Sequence, residues 1–205
     1  MKMPIALACF ALAGGAVLSA AEGVWLDVPF VRQQANACGA ASLAMILDYW
    51  REHRAPEEKR STPRADPEAI HRQIYVPKRK GTPADSMRRY LEAHGYRAFS
   101  FSGQWDDVRH HIGRGRPLIV ALKTGSDSFH FAVVAGAGDT TVAVNDPADR
   151  KLRIYSRADF EKRWIAAGRW TLLAVPRPSS NPVPGTQRGA VADFDEGAAT
   201  LALKP

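Results

Sequence analysis

Residues 31–50 read Val-Arg-Gln-Gln-Ala-Asn-Ala-Cys-Gly-Ala-Ala-Ser-Leu-Ala-Met-Ile-Leu-Asp-Tyr-Trp, and Cys38 stands where a polar, extended stretch becomes an apolar, helical one. From Leu43 to Trp50 the apolar side chains spread around much of a helical wheel, which predicts a helix buried at the centre of a domain. Cys38 would be the first residue of this helix, where unpaired backbone N–H groups and the helix dipole stabilise a thiolate. The stretch therefore predicts a core helix and a candidate nucleophile together.

Residues 1–21 have the features of a secretory signal. Lys2 is their only charged residue, residues 5–18 are apolar, and Ser19-Ala-Ala21 offers small residues at a cleavage site. The apolar run is too short to predict a membrane span. We therefore expect a mature chain that begins near Glu22, has no integral membrane segment and is periplasmic or secreted.

Cys38 would be the only cysteine of this mature chain, because Cys9 would leave with the signal. In an oxidising compartment an unpaired cysteine is a reactive thiol, a partner in an intermolecular disulfide, or a buried small hydrophobe. Composition leaves these three interpretations open. The choice among them rests on the residues around Cys38 and on a candidate base.

The charge balance gives no indication of a nucleic-acid partner. Loss of Lys2 leaves 27 of the 28 Lys and Arg residues against 21 Asp and Glu, so the mature chain would carry a net charge of +6. Its basic residues are spread along the sequence, which permits only weak attraction to anionic surfaces or polymers. The densest run, Lys78-Arg79-Lys80, lies between Pro77 and Gly81 and is interpreted as a solvated loop.

The order of elements predicts one α+β domain over residues 22–176 and a flexible tail at 177–205. Residues 52–66 are charged and proline-rich, and are expected to form an exposed loop. The first half is rich in helices and the second is mainly an antiparallel sheet. Helices are expected to start near residues 39, 67, 83, 105 and 157, and strands to span 24–31, 96–101, 117–123, 129–135, 140–145 and 170–175.

His130 is the candidate base because of its place in a predicted hairpin. Two strands flank the turn-forming sequence Gly136-Ala-Gly-Asp139. With the turn centred on Gly138, His130 and Asp146 would stand directly opposite each other, with Cβ atoms about 4.5–5.5 Å apart. A carboxylate at this distance can fix the tautomer and orientation of an imidazole.

Donors for an oxyanion are available beside Cys38. Its own backbone N–H can supply one, and the side-chain amide of Gln33, looping back from five residues upstream, can supply the second. Gln34 is less suited, because neighbouring side chains in an extended segment point in opposite directions. The other histidines show no zinc-type spacing with a cysteine, so we expect no metal and no other cofactor.

The residues around these candidates resemble the motifs of C39-like cysteine peptidases. Residues 27–47 resemble the nucleophile motif of that family. His130-Phe-Ala-Val-Val-Ala-Gly136 and Val144-Asn-Asp-Pro-Ala148 resemble its histidine and aspartate motifs, in the expected order. The resemblance covers about residues 24–176.

The resemblance implies a papain-like α+β fold, in which a helical lobe with a buried nucleophile helix packs on an antiparallel sheet. It also implies Cys38 as nucleophile, His130 as base and acid, Asp146 as its orienter and Gln33 as an oxyanion donor. The best-known members cleave leaders after a double glycine and are fused to peptide exporters. This chain has its own export signal and Ala37 where an acidic residue is frequent, so it looks more like the stand-alone exported members.

We therefore expect an exported, monomeric thiol hydrolase that cleaves a bond in a peptide or protein substrate. Two alternatives would use the same cleft: a catalytically silent module that binds a peptide tail, and an acyltransferase that delivers the acyl group to an amine. The presence of all four chemical groups favours catalysis over silent binding.

Overall fold

One antiparallel sheet organises the part of the chain that the computed structural model describes, residues 23–125 and 128–178. The expected signal peptide and, from residue 179, the expected tail lie outside these residues. The strands are β1 (Val24–Trp25), β2 (Tyr96–Ser102), β3 (Leu118–Lys123), β4 (Phe129–Ala137), β5 (Thr141–Asn145), β6 (Arg153–Ser156) and β7 (Trp170–Pro176). They lie in the order β2-β7-β3-β4-β5-β6, and β1 pairs with the last residues of β4.

Helices cover both faces of the sheet. They are α1 (Cys38–Glu52), α2 (Pro56–Ser61), α3 (Pro67–Ile74), α4 (Ala84–Ala93), α5 (Trp105–Gly113) and α6 (Arg157–Ile165). A short 3-10 helix, Pro77–Arg79, joins α3 to α4. No helix in the described residues is long and apolar enough to cross a bilayer. The predicted α+β class, with a helical layer on an antiparallel sheet, is confirmed.

Successive side chains of a strand point to opposite faces of the sheet, and a separate hydrophobic core lies on each face. Ile119 and Ala121 of β3 face the core that contains α1, α3 and α4, whereas Val120 and Leu122 face the core that contains α5 and α6. Ten of the 15 residues of α1 are buried, which confirms the prediction of a central helix. The nucleophile candidate therefore begins the most deeply packed helix of its layer.

Local capping explains several of the helix starts. The Asp66 carboxylate accepts a hydrogen bond from the N–H of Glu68 at 2.9 Å, and the Ser156 hydroxyl accepts one from the N–H of Asp159 at 3.1 Å. Both caps stand at helix starts that the sequence predicted, near residues 67 and 157. The start expected near residue 83 has no such cap, because α4 begins at Ala84 after Pro83 without a side-chain hydrogen bond.

Two predictions about irregular segments were wrong. Residues 52–66 contain α2, because Pro56 sits in the first turn and two glutamates follow it there, both favourable at a helix start. Only Val24 and Trp25 of the expected strand 24–31 pair in the sheet. A strand not predicted, β6, pairs with β5 at the edge of the sheet.

Asn145, the last residue of β5, joins three segments near this edge. It is fully buried, its amide nitrogen donates to the Val28 carbonyl at 3.1 Å, and its amide oxygen accepts from the Leu152 N–H at 2.9 Å. The segment that leads toward α1 is therefore tied to the end of β5. A buried amide of this kind is stabilising only while both partners are present.

Substitution Asn145→Leu should lower the free energy of unfolding by about 2–4 kcal/mol, because it leaves a carbonyl and an N–H unpaired. The measurement is urea unfolding followed by circular dichroism. The matched variant Ser156→Ala removes one exposed helix cap and should cost about 1 kcal/mol. A loss in Asn145→Leu no larger than that in Ser156→Ala would contradict this role.

Candidate active site

Cys38 occupies the first position of α1, at a helix start without a side-chain cap. The residue before it is Ala37, and the first turn contains no acidic residue. A turn closed by the Ala37 N–H on the Gln34 carbonyl at 3.1 Å leads into the helix, with Asn36 in the left-handed region at φ 58°. Asparagine tolerates this conformation better than most residues do. The N–H groups that begin α1 are thus left for an anion at Cys38.

Gly39 allows a close approach between α1 and the segment before α4. A Cβ atom at position 39 would lie 3.0 Å from the Cβ of Thr82, which is tighter than an ordinary contact. Any larger side chain at position 39 would therefore push the two segments apart. The glycine next to the nucleophile candidate is explained by this packing.

His130 and Asp146 meet as a hydrogen-bonded pair. His130 Nε2 lies 2.6 Å from Asp146 Oδ1, and their side chains are only 13% and 10% exposed. The carboxylate oxygen also accepts the N–H of Ala148 at 3.0 Å. The aspartate is therefore held by the turn that follows it and can fix the orientation of the ring.

The predicted register of the hairpin was wrong by two residues. Val133 pairs with Asn145, and one further step places Asp146 across from Ala132, not from His130. The turn is closed by the Gly138 N–H on the Thr141 carbonyl at 2.9 Å, and the pairing slips between Val134 and Gly136. The observed register differs from the predicted one by two residues, and a difference of two preserves the face of the sheet on which each side chain lies. His130 and Asp146 are consequently diagonal neighbours, still within reach of each other.

The segment before Cys38 is attached to the loop that carries Asp146. The Gln33 N–H donates to the Pro147 carbonyl at 2.9 Å, and the Arg32 guanidinium donates to the Asp149 carbonyl, also at 2.9 Å. These bonds link residues that are far apart in the sequence. They place Gln33 beside the aspartate loop.

The side chains of Gln33 and Cys38 do not line the same cavity. Gln33 lines a cavity of about 320 Å³ together with Ala37 and Ala41, whereas Cys38 lines a separate groove. Its amide oxygen is buried and has no hydrogen-bond partner among the described residues. The amide of Gln34 instead donates to the exposed Glu68 carboxylate at 2.7 Å. Of the two glutamines, Gln33 has the side chain that is not engaged at the surface.

Several groups act on the ionisation of Cys38. Burial raises the pKa of its thiol, but a hydrogen bond with His130, the N–H of Phe131 and the nearby charge of His130 lower it more. The pKa therefore lies below its ordinary value of 9.0. The contribution of Phe131 could not be recognised from sequence, since it comes from a backbone group that any residue would supply.

The ring and the carboxylate complete a set of alternating charges. Burial lowers the pKa of His130, yet its hydrogen bonds with Asp146 and Cys38 and the charges of both raise it from 6.5 to about 9. Burial raises the pKa of Asp146, but its hydrogen bond with His130 and the charge of that ring bring it below its ordinary value. These directions favour the charged form of each group: a thiolate, an imidazolium and a carboxylate.

A groove of about 680 Å³ opens at Cys38. Phe131 and Trp170 form part of its wall, with ring centroids 5.2 Å apart in an edge-on arrangement. The groove could hold several residues of an extended peptide. Within the described residues no three His, Cys, Asp or Glu side chains are grouped to hold a metal ion.

The rate of Cys38 alkylation by iodoacetamide tests the ionisation state, because only the thiolate reacts. In the unmodified protein the rate should rise with pH through a midpoint below 9.0, because the hydrogen bonds and the charge of His130 lower the pKa of the thiol. In His130→Ala burial persists while the hydrogen bond and the charge of the ring are lost, so the midpoint should move to a higher pH. The rate at pH 7 should then fall roughly 10- to 100-fold. An unmodified protein with its midpoint at 9.0 or above would contradict the pairing.

Comparison with known proteins gives a consistent family and fold. The peptidase domain of Streptococcus ComA, a bi-functional ABC transporter, superposes with a TM-score of 0.59 at 18% identity, covering 73% of this chain and 99% of that one. A C39-like peptidase of Bacillus anthracis gives a TM-score of 0.58 at 18% identity, with 76% and 98% covered.

A double-glycine-motif protease of an AMS/PCAT transporter, solved with its leader peptide, gives a TM-score of 0.56 at 22% identity, with 75% and 95% of the two chains covered. No curated protein matches the sequence. The model of the Peptidase_C39 like family matches residues 25–172, which is most of the chain. The sequence motifs, the fold and this match together establish that the protein belongs to the Peptidase_C39 like family.

Proposed function

We propose that this protein is a cysteine peptidase in which Cys38 attacks the carbonyl carbon of a peptide bond. The observation that carries the proposal is the meeting of three groups from separate elements. These are the thiol that begins α1, the His130 ring on β4 and the Asp146 carboxylate after β5. Family membership supports the same chemistry. Double-glycine specificity is not part of the proposal, since the likeness to that protease is one of fold.

The first half of the reaction would form a thioester. The Cys38 thiolate attacks the carbonyl carbon, and the C=O π electrons move to the oxygen, which becomes an oxyanion. The N–H of Cys38 and the side-chain amide of Gln33 donate hydrogen bonds to that oxyanion. As the C–N bond breaks, the His130 imidazolium gives its proton to the departing amine.

The second half would release the acyl group to water. The now neutral His130 takes a proton from a water molecule, whose oxygen attacks the thioester carbonyl. Collapse of this intermediate expels the Cys38 thiolate and leaves a carboxylic acid product. His130 is again an imidazolium, so the thiolate–imidazolium pair is restored. Asp146 keeps the ring oriented through both halves and stabilises its charge.

Two observations support Gln33 as the second oxyanion donor. Its backbone is anchored to the aspartate loop through Pro147, and its side-chain amide oxygen has no hydrogen-bond partner within the described residues. The segment then turns directly into Cys38. Gln33 and Cys38 line different cavities, so the proposal requires the Gln33 side chain to reorient toward Cys38 when substrate binds.

Cleavage of an unbiased peptide library under reducing conditions tests the proposal. Cys38→Ala should abolish turnover while still binding peptide, because the substitution removes the nucleophile alone. Gln33→Ala should lower kcat about 100- to 1000-fold, as loss of one oxyanion donor does elsewhere. Gln34→Ala is the matched control and should stay within about threefold. Peptide binding without turnover in the unmodified protein would favour the silent binding module instead.

We also propose that the enzyme acts outside the cytoplasm, on the evidence of residues 1–21. Expression of the full chain in a bacterium, followed by fractionation and N-terminal sequencing, tests this. The mature protein should begin near Glu22 and be found in the periplasm or the medium. A cytoplasmic protein that keeps residues 1–21 would contradict export.

A further inference from the structure

A basic segment forms one wall of the groove at Cys38. The sequence run Lys78-Arg79-Lys80 was expected to be a solvated loop, and all three residues are exposed. Arg79 and Lys80 nevertheless line the groove that contains the thiol, and Lys78 does not. The segment thus presents two of its three charges to the space that a substrate would occupy.

The backbone holds these two charges in place. The Val76 N–H donates to the Gly81 carbonyl at 3.0 Å, which closes the segment as an isolated bridge. Within it, the Arg79 N–H donates to the Val76 carbonyl at 2.9 Å, and the Lys80 N–H to the Pro77 carbonyl at 3.0 Å. Lys80 itself is in the left-handed region at φ 47°, which is costly for a residue with a side chain. The turn therefore fixes the backbone positions of Arg79 and Lys80.

The groove contains no described negative side chain that would neutralise them. None of its described lining residues is acidic, and across residues 23–125 and 128–178 neither Arg79 nor Lys80 forms an ion pair. The neighbouring Arg88, by contrast, is paired with both Asp85 and Glu92. The groove is thus basic by composition.

Activation of the thiol does not account for these charges. The main contributions that lower the pKa of Cys38 come from His130 and the N–H groups of Phe131 and Gly39. Arg79 and Lys80 are not among them. Their charges are therefore available to interact with a ligand in the groove.

The rest of the wall suits a peptide. Phe131, Trp170 and Ala121 offer an apolar surface. An apolar side chain of a bound peptide could pack on the two aromatic rings. A carboxylate on the same peptide would be placed near the two cations.

We infer that this groove selects peptides that carry an Asp or Glu side chain close to the scissile bond, with Arg79 and Lys80 binding its carboxylate. The inference rests on the proposed peptidase function and specifies its substrate class. The arginine fork can bind a carboxylate through two hydrogen bonds, and the lysine adds a point charge.

Matched peptides that differ by one charge test the inference. A cleaved sequence from the library is prepared with Glu, and in a second form with Gln, at each position near the scissile bond. For the best position, kcat/KM should be roughly 3- to 30-fold higher with Glu, the range expected of two exposed ion pairs, and the preference should shrink as salt is raised. The ratio of the two rates is the readout, because it does not depend on the fraction of active protein.

Substitutions in residues 78–80 test whether Arg79 and Lys80 cause the preference for Glu over Gln. With Arg79→Gln and Lys80→Gln together the Glu/Gln ratio should fall to about one, whereas in the matched control Lys78→Gln it should keep its original value. With Arg79→Glu and Lys80→Glu together the enzyme should prefer Lys at the same position. A Glu preference that persists in the double Gln variant, or equal rates for both peptides in the unmodified protein, would overturn the inference.

A binding experiment separates this inference from the proposed function. A random octapeptide library with blocked termini is passed over the immobilised Cys38→Ala protein, and the retained peptides are sequenced. Enrichment of Asp and Glu that disappears with Arg79→Gln and Lys80→Gln supports the selectivity, even if the unmodified protein cleaves nothing. Retention without such enrichment counts against the inference, even if cleavage occurs.

Discussion

Packing of α1 against β4 is the constraint from which the site follows. Leu43 and Ala44 of the helix share one core with Phe131 and Val133 of the strand, and all four are largely buried. A helix enclosed in this way cannot move along its axis without opening cavities, which close-packed interiors resist. Its first residue must therefore lie beside the start of β4. That residue is Cys38, and the second residue of the strand is His130.

The electrostatics of the site follow from this placement. An α-helix that starts without a cap or an acidic residue leaves N–H groups unpaired, and the thiolate of Cys38 can partner them. The thiolate in turn stabilises the imidazolium of His130, which Asp146 stabilises from the other side. Each charge is half-buried or more and would be costly alone. The three groups are tolerated as a set, and removal of one changes the ionisation of the others.

Much of the fold and of the site could be predicted from the sequence, because strong local patterns encode them. The buried helix after Cys38, the caps at Asp66 and Ser156, and the alternating apolar strands are local signals, and the structure agrees with them. The pairing of His130 with Asp146 was anticipated through a register that is wrong by two residues. The error was harmless because the side-chain period of a strand is also two.

Other features depend on tertiary contacts and could not be predicted. The N–H of Phe131 reaches the thiol only because two elements meet, and the approach of Thr82 to Gly39 depends on two separate segments. Asn145 did carry a signal, since this polar residue directly follows the apolar run Val142-Ala-Val144 at the end of a strand. Lys78, Arg79 and Lys80 are alike in sequence, but only a folded turn shows that the last two face the groove.

The ionisation of His130 is the most direct measure of the central claim, that a buried ion pair activates Cys38. Nitrogen NMR of the 15N-labelled imidazole reports its protonation without any substrate. The account predicts an imidazolium at neutral pH that titrates near pH 9, and a lower midpoint when Cys38 is replaced by alanine. A neutral ring at pH 7 in the unmodified protein, or a midpoint that does not respond to the loss of the thiol, would contradict it.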